Sequence, residues 1–268
     1  MTTARAISAL HAELGPVRAE HRIGLVPTMG ALHAGHEALV RRARAECDVV
    51  VASIFVNPAQ FGAGEDFEHY PRDELRDAVV AESWGVDHLF IPSAEEMYPE
   101  GFITWVEVGG LADELEGAFR PGHFRGVATV CLKLFNIVRP NRAYFGQKDA
   151  QQAAVLETMV GDLNLSLEIR VVPTVREADG LALSSRNAYL SAEEREAAAA
   201  LPQALAAGAK AGKERAAEVA RAALAGEPRL EPDYVEVAPL NGRVYLLAAA
   251  RVGRTRLIDN VVLEGDLQ

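Results

Sequence analysis

The chain has 268 residues, 49% hydrophobic and 24% charged. It is too apolar for an intrinsically disordered chain and long enough to bury a core without disulfide staples. Twenty-seven basic residues face 38 acidic ones, a formal charge of −11; that sign argues against a nucleic-acid or anionic-membrane binder, although a small anion needs only a few donors in one place. No apolar run approaches the roughly 18 residues that suggest a membrane span, and the opening residues, MTTARAISALHAELG, hold no apolar signal core. A cytoplasmic location is therefore expected.

The first two thirds alternate strand and helix. Ile23–Val26 reads as a strand ending at Pro27, Ala38–Cys47 as a helix and Val49–Val56 as a buried strand, together a βαβ unit. A helix over Leu75–Trp84 and a strand over Asp87–Ile91 follow. Then come an apolar helix over Val127–Val138, a short strand at Ala143–Phe145, a helix over Asp149–Val160 and a strand at Leu167–Val172. Apolar strands between helices predict a parallel sheet covered on both faces. After Thr174 the texture changes. Ser191 and Glu194 have capping-box spacing, and an alanine-rich helix runs to Lys210 with a break at Pro202. A helix over Glu214–Ala225 precedes strands at Tyr234–Val237, Val244–Ala250 and Thr255–Val262, with Asn241-Gly242 as a hairpin turn. The fold class expected is α/β, a Rossmann-like parallel-sheet domain (1–174) with a smaller α+β lid domain (175–268). Cys47 and Cys131 lack metal or disulfide spacing and read as reduced buried thiols.

Four segments carry chemistry. Pro27-Thr-Met-Gly-Ala-Leu-His33-Ala-Gly-His36 joins a strand to a helix, where parallel sheets bind ligands and a new helix offers unpaired N–H groups to anions. Two histidines three apart can donate to phosphate oxygens there; the plainer alternative is that His33 caps the helix and His36 packs beneath it. Phe55-Val-Asn57-Pro-Ala-Gln60 places two amides at a strand tip, suited to hydroxyls and a carboxylate, or simply forms an Asn-Pro turn. Arg120-Pro-Gly-His123 opens the apolar helix. Phe145-Gly146-Gln147-Lys148-Asp149 joins another strand to a helix, with a lysine for phosphates, an aspartate for a cap or a ribose hydroxyl, and Gln152 one turn on. Finally, Pro173 to Asn187 holds Ser184-Ser185-Arg186 after a glycine-bearing loop, a phosphate clamp able to close on a nucleotide. Neither G-x-G-x-x-G after the first strand nor a P-loop is present, which argues against dinucleotide oxidoreductases and P-loop kinases.

His33-Ala-Gly-His36 resembles the HIGH signature of nucleotidylyltransferases and class I aminoacyl-tRNA synthetases. The phrases PTMGALHAGH, FVNPAQFG, YPR, RPGHFRGVATV, KLFNIVRPNRAYFGQKDAQQ and PTVREADGLALSSRNAYLS, in this order, closely resemble the pantoate–β-alanine ligases, as does LLAAARVGRTRLIDN near the end. The resemblance implies an ATP-dependent ligase that condenses pantoate with β-alanine through a pantoyl adenylate, releasing AMP and pyrophosphate. It implies that Met29, Gly30, Ala31, Leu32, His33, Ala34, Gly35 and His36 line the ATP site, with His36 as catalytic histidine. Gly146, Gln147, Lys148, Asp149, Val175, Leu183, Ser184, Ser185 and Arg186 would complete it. His33, Lys148 and Arg186 would offset phosphate charge, Gln60 and Gln152 would hold pantoate, and Asn57 and Arg120 would contact substrate. Mg2+ and a homodimer are also implied.

Three positions depart from the family pattern. Arg76 stands where an acidic residue is common, in Asp73-Glu74-Leu75-Arg76-Asp77, leaving Asp77 as the candidate metal ligand. Ala59 replaces a common methionine and Ala150 a common aromatic residue. Two rival readings stay open at this point: a nucleotidylyltransferase that stops at an adenylylated product, and a catalytically silent ATP-binding regulator.

Overall fold

A computed structural model describes residues 1–267. The chain divides into two compact units, Met1–Phe145 with Gln152–Val172, and Gly146–Gln151 with the chain from Pro173 onward. The single cut expected after residue 174 differs in two respects: the boundary falls after Val172, and the short Gly146–Gln151 stretch belongs to the second unit. Its backbone is hydrogen-bonded there, as the site geometry below makes plain.

The first unit contains β1 (Thr2–Ala4), α1 (Ile7–Leu14), β2 (Ile23–Thr28), α2 (Ala34–Glu46), β3 (Val49–Ile54), α3 (Glu74–Ser83) and β4 (His88–Phe90). There follow α4 (Ala94–Met97), α5 (Glu116–Phe119), α6 (His123–Val138), β5 (Arg142–Gly146), α7 (Ala150–Asp162) and β6 (Glu168–Val172). The six strands form a parallel sheet in the order β1-β4-β3-β2-β5-β6. Val50, Val51 and Ala52 are buried in β3 because helices cover it, and Val26, Leu39, Val40, Ala43, Leu89 and Tyr144 pack into one core. From β2 the chain moves outward through β3 and β4, then returns to place β5 on the other side of β2. Where strand order reverses in this way, a crevice opens at the carboxyl ends of the strands. The chain leaving β2 there is Met29–His33.

Two N-terminal elements escape the sequence reading. β1 has only three residues and pairs at the sheet edge with β4, while α1 starts after Ala6, which makes no side-chain cap. Neither carries a local signal. The apolar helix α6 also begins four residues earlier than its apolar run, directly after Gly122 at φ +81°.

The second unit holds α8 (Ala192–Ala198), α9 (Ala200–Lys210), α10 (Ala216–Leu224) and an antiparallel meander of β7 (Leu230–Leu240), β8 (Arg243–Val252) and β9 (Thr255–Glu264). The capping box at Ser191 is formed, and the helical tract breaks at Ala199, leaving Pro202 in the first turn of α9, where its missing N–H costs nothing. Alanines make this unit possible: Ala204, Ala216, Ala220, Ala248 and Ala250 let helices and sheet approach closely. A β-carbon at Gly208 would stand 2.5 Å from the Ala216 carbonyl oxygen. Asn241 and Gly242 both have positive φ, as a type I′ hairpin requires. β7 is longer than its apolar run because it lies at a sheet edge, where Pro232 and Pro239 are tolerated and a bulge follows Pro232. Both cysteines are free and buried. Among the described residues no helix is long and apolar enough to cross a membrane.

Candidate active site

The loop after β2 is built around a buried carboxylate. Gly30 has φ +87° and Ala31 φ +51°, a left-handed pair that turns the chain sharply off the strand. The Ala31 and Leu32 N–H groups then donate to Asp77 Oδ2 and Oδ1 at 2.7 and 2.9 Å. Asp77, in the first turn of α3, is 1% exposed, and Arg76 adds a 3.4 Å contact to it. The metal role expected for Asp77 therefore gives way to a structural one. Both oxygens accept from backbone amides, so the carboxylate is already committed to the loop. Among the described residues no group of three or more His, Cys, Asp and Glu could hold a metal.

Past this loop, His33 caps α2. Its Nδ1 accepts from the Gly35 N–H at 3.1 Å, and His36 Nδ1 accepts from the His33 N–H at 3.3 Å, a capping box made of two imidazoles. The ring centroids are 4.1 Å apart. An Nδ1 that accepts a backbone amide carries no proton, so each neutral ring has its proton on Nε2 and can donate from there. The capping and functional readings of these histidines are thus compatible: the cap fixes the tautomer that a phosphate-binding role needs.

The tip of β3 gathers the two predicted amides. Asn57 is 1% exposed, and its side chain is fully engaged. Its Nδ2 donates to Gln60 Oε1 (3.0 Å) and the Gly126 carbonyl (3.2 Å), and its Oδ1 accepts from the Ala59 N–H (3.3 Å) and the Tyr98 hydroxyl (2.8 Å). Asn57 therefore orients Gln60 and does not itself face a ligand, contrary to expectation. Gln60 Nε2 points at Met29 Sδ, 3.3 Å away, a weak acceptor that leaves donor capacity over. Gly126 is essential to this packing, because a β-carbon there would lie 2.2 Å from the Ala59 carbonyl oxygen.

Arg120 also differs from expectation. Its guanidinium forms a fork with Glu65 (2.9 and 2.6 Å), reaches His123 Nε2 (3.1 Å) and touches the Gln60 carbonyl (3.4 Å). Burial alone would raise the Glu65 carboxyl, but the bonds and charge of Arg120 outweigh it and hold it below the usual range. His123 Nδ1–H donates to the Gln60 carbonyl at 2.9 Å, so its Nε2 accepts from Arg120 and the ring is neutral. Burial and the neighbouring guanidinium push this imidazole down to about 4. Gln60 is thus held at its side chain by Asn57 and at its carbonyl by His123 and Arg120. Gln152, near the start of α7, is partly exposed and makes no side-chain hydrogen bond to another described residue.

In the second unit, Asn260 of β9 donates from Nδ2 to the carbonyls of Gln147 (2.8 Å) and Lys148 (2.9 Å), and its Oδ1 accepts from Gln147 Nε2 (3.1 Å). Gln147 Oε1 takes the Thr174 N–H at 3.4 Å. Gln147 is therefore a buried brace and not the nucleotide contact expected, whereas Lys148 and Asp149 keep partly exposed side chains without an ion pair among the described residues. The Val175–Arg186 loop is held at its base: the Leu183 N–H bonds the Val175 carbonyl, and Arg176 forks onto buried Asp259 at 2.6 and 2.9 Å. Ser184 Oγ accepts from the Arg186 N–H, starting the turn that presents Ser185 and Arg186. Glu65, Tyr98, Arg176, Asp259 and Asn260 went unassigned from sequence; Arg176 lies in the PTVREADG phrase and Asp259 and Asn260 in the LIDN phrase, whereas Glu65 and Tyr98 lie in none.

A parallel sheet with two amide-locked histidines in the turn after β2 defines an α/β protein with donors at the carboxyl end of its strands. The family model for pantoate-beta-alanine ligase matches residues 2–262, and the chain belongs to that family. It is 58% identical to the pantothenate synthetase of Chloroflexus aurantiacus (91% of this chain, 92% of the relative) and to that of Moorella thermoacetica (90% and 91%). A crystal structure of pantothenate synthetase from Thermus thermophilus superposes with TM-score 0.94 at 47% identity, covering 99% of this chain and 100% of that one. Pantoate-beta-alanine ligase from Francisella tularensis, complexed with beta-gamma ATP and beta-alanine, superposes with TM-score 0.86 at 37% identity, with 99% coverage of each chain. The chain is an enzyme that ligates pantoate to β-alanine.

Proposed function

We propose that the chain makes pantothenate from (R)-pantoate and β-alanine in two ATP-dependent steps, acting in the cytoplasm as a homodimer. A pantoate carboxylate oxygen attacks the α-phosphorus of ATP and the bond to pyrophosphate breaks, giving pantoyl adenylate. The neutral amine of β-alanine then attacks the acyl carbon; a C–N bond forms, the C–O bond to AMP breaks, and the amine sheds a proton. A free carboxylate would have to expel oxide, whereas the adenylate offers AMP.

The obstacle in the first step is repulsion between a carboxylate and a polyphosphate, which fixed donors lower. His36 and His33 donate their Nε2 protons to phosphate oxygens, and Lys148, Ser184, Ser185 and Arg186 supply further charge and hydrogen bonds. Met29–His36, Gly146, Asp149, Val175 and Leu183 shape the nucleotide site. Gln60, oriented by Asn57, holds pantoate together with Gln152 and also meets β-alanine. The Francisella complex supports ATP and β-alanine as substrates. For Mg2+ the described residues do not form a protein ligand set; it is proposed to arrive on the polyphosphate and keep its waters, and no step is assigned to it. The observation that carries this reading is the histidine pair with both Nδ1 atoms committed to backbone amides. The test uses ATP labelled at the α-phosphate with both substrates. Label should appear in AMP, and pantoate alone should support exchange of labelled pyrophosphate into ATP; ADP as product would falsify the adenylate route.

A further inference from the structure

The Ser184–Arg186 turn is closed into a ring by a residue that follows it. Upstream, residues 175–183 form a tight hairpin. The Leu183 N–H bonds the Val175 carbonyl at 3.0 Å, the Glu177 N–H bonds the Leu181 carbonyl at 2.8 Å, and Gly180 turns the chain at φ +89°. Two carboxylates stand on this hairpin, Glu177 and Asp179. Downstream, α8 carries Arg195, whose guanidinium spans both. Its Nη1 and Nη2 donate to the two oxygens of Glu177 at 2.9 and 2.7 Å, and its Nε donates to Asp179 Oδ2 at 2.7 Å. Such a set needs a planar fork; a lysine ammonium is a point charge. Glu177 passes the constraint on. Its Oε1 also accepts from Asn187 Nδ2 at 2.7 Å, and Asn187 directly follows Arg186. The second Nδ2 proton goes to the Ala182 carbonyl at 3.1 Å, and the Asn187 N–H bonds the Ser184 carbonyl at 3.1 Å. Asn187 Oδ1 is buried without a partner among the described residues, so the amide is turned by what its NH2 group must reach.

We propose that Arg195 is a positioning residue for the phosphate clamp: through Glu177 and Asn187 it holds Ser185 and Arg186 in their binding arrangement before the nucleotide arrives. This rests on the reading above in which those two side chains meet the polyphosphate. A loop that ATP itself had to order would spend binding energy on lost conformational entropy, whereas a loop already closed does not. The two arginine forks of this region divide the work. Arg176 ties the hairpin to β9 through Asp259, whose side chain is fully buried. Arg195 ties the far flank of the clamp to the hairpin through carboxylates that are partly exposed, so it matters little to global stability and much to local order. Charge adds to the effect. The Arg195 guanidinium holds the Glu177 carboxyl below its usual range and offsets two carboxylates that would otherwise stand unopposed beside the clamp.

Arg195→Met, which removes the fork and keeps an aliphatic stem, tests this with two readouts. Trypsin reports the clamp directly, because it cuts the Arg186–Asn187 bond as the turn opens. Cutting at that bond, identified by the new N-terminus, should quicken about tenfold, and the KM for ATP should rise about tenfold with the KM for pantoate unchanged. Circular dichroism should match that of the wild type. Arg195→Lys, which restores the charge without the fork, should recover only part of both effects. Glu177→Gln, the same shape without the charge, should give the same pair of changes at smaller size, and it decides the matter where Arg195→Met does not fold. Added to Arg195→Met it should change little further, since both break one ring. Unchanged cutting in Arg195→Met and Glu177→Gln, or equal rises in KM for ATP and pantoate, would overturn the proposal. Faster cutting with an unchanged KM for ATP would overturn it by another route: the clamp would be held as described, and its phosphate role would be what failed.

Discussion

The loop after β2 and the turn after β5 solve one problem with opposite chemistry. In the first, buried Asp77 accepts from two backbone N–H groups; in the second, buried Asn260 donates to two backbone carbonyls. Each brace comes from a distant part of the sequence and immobilises backbone, so that neighbouring side chains can serve the ligand. The difference lies in what is consumed. Asp77 occupies the amides of residues 31 and 32, leaving anion binding to the imidazoles of His33 and His36, whereas Asn260 occupies carbonyls beside a lysine that is already cationic. A charged brace should therefore matter more to folding than a neutral one.

The largest effect is expected from Asp77→Asn. One backbone amide would face an NH2 group in a buried site, so stability should fall by about 3 kcal/mol in urea unfolding, hydrogen bonds to charged groups being worth about 1.5–3 kcal/mol each. Adenylate formation should drop as the His33 cap loosens. A loss no greater than that of the Asn260 variant would end the contrast. Asn260→Ala should cost about 2 kcal/mol, because carbonyls left unpaired can still recruit water. Its kinetic signature should be a raised KM for ATP, through Lys148, with the KM for pantoate little changed; equal increases in both would show that the two regions are not separable.

The smallest effect concerns pH. Neutral His123 titrates near 4 when folded against an ordinary 6.5, chiefly through burial. Between those values the unfolded chain binds the proton and the folded chain does not, so its contribution is intact above about pH 6.5 and is lost as pH falls toward 4. Near pH 5.5 the loss is about 1 kcal/mol. His123→Gln should flatten this part of the stability profile, measured by urea midpoints across pH. An unchanged profile would mean that the imidazole is not held neutral. Below that window Glu65, whose carboxyl is lowered on folding, adds a further loss as it protonates.

How far the sequence could be read divides along the same line. β2, α2, β3, the capping box at Ser191 and the Asn241-Gly242 turn each carry their signal within a few residues, as period, cap or turn chemistry. β1 and α1 carry none, being defined by pairing with β4 and packing on α6. At the site, the motif phrases identify the segments but not the job of each member. Asn57, Gln147, Arg120 and Asp77 have the residue types of ligand contacts, yet all four spend their polar groups on the protein.

By itself, the sequence determined the alternation of elements, the parallel-sheet class and the strand-to-helix junctions that bear histidine, lysine and serine-arginine chemistry, because these depend on spacing along the chain. The tertiary structure decided which polar side chains face outward and which are buried as braces. That outcome depends on what packs from the far end of the chain: α3 against the β2 loop, α6 against Gln60, and β9 against Lys148. Burial and the pairing of a carboxylate or amide are properties of the assembled neighbours, which local order does not encode.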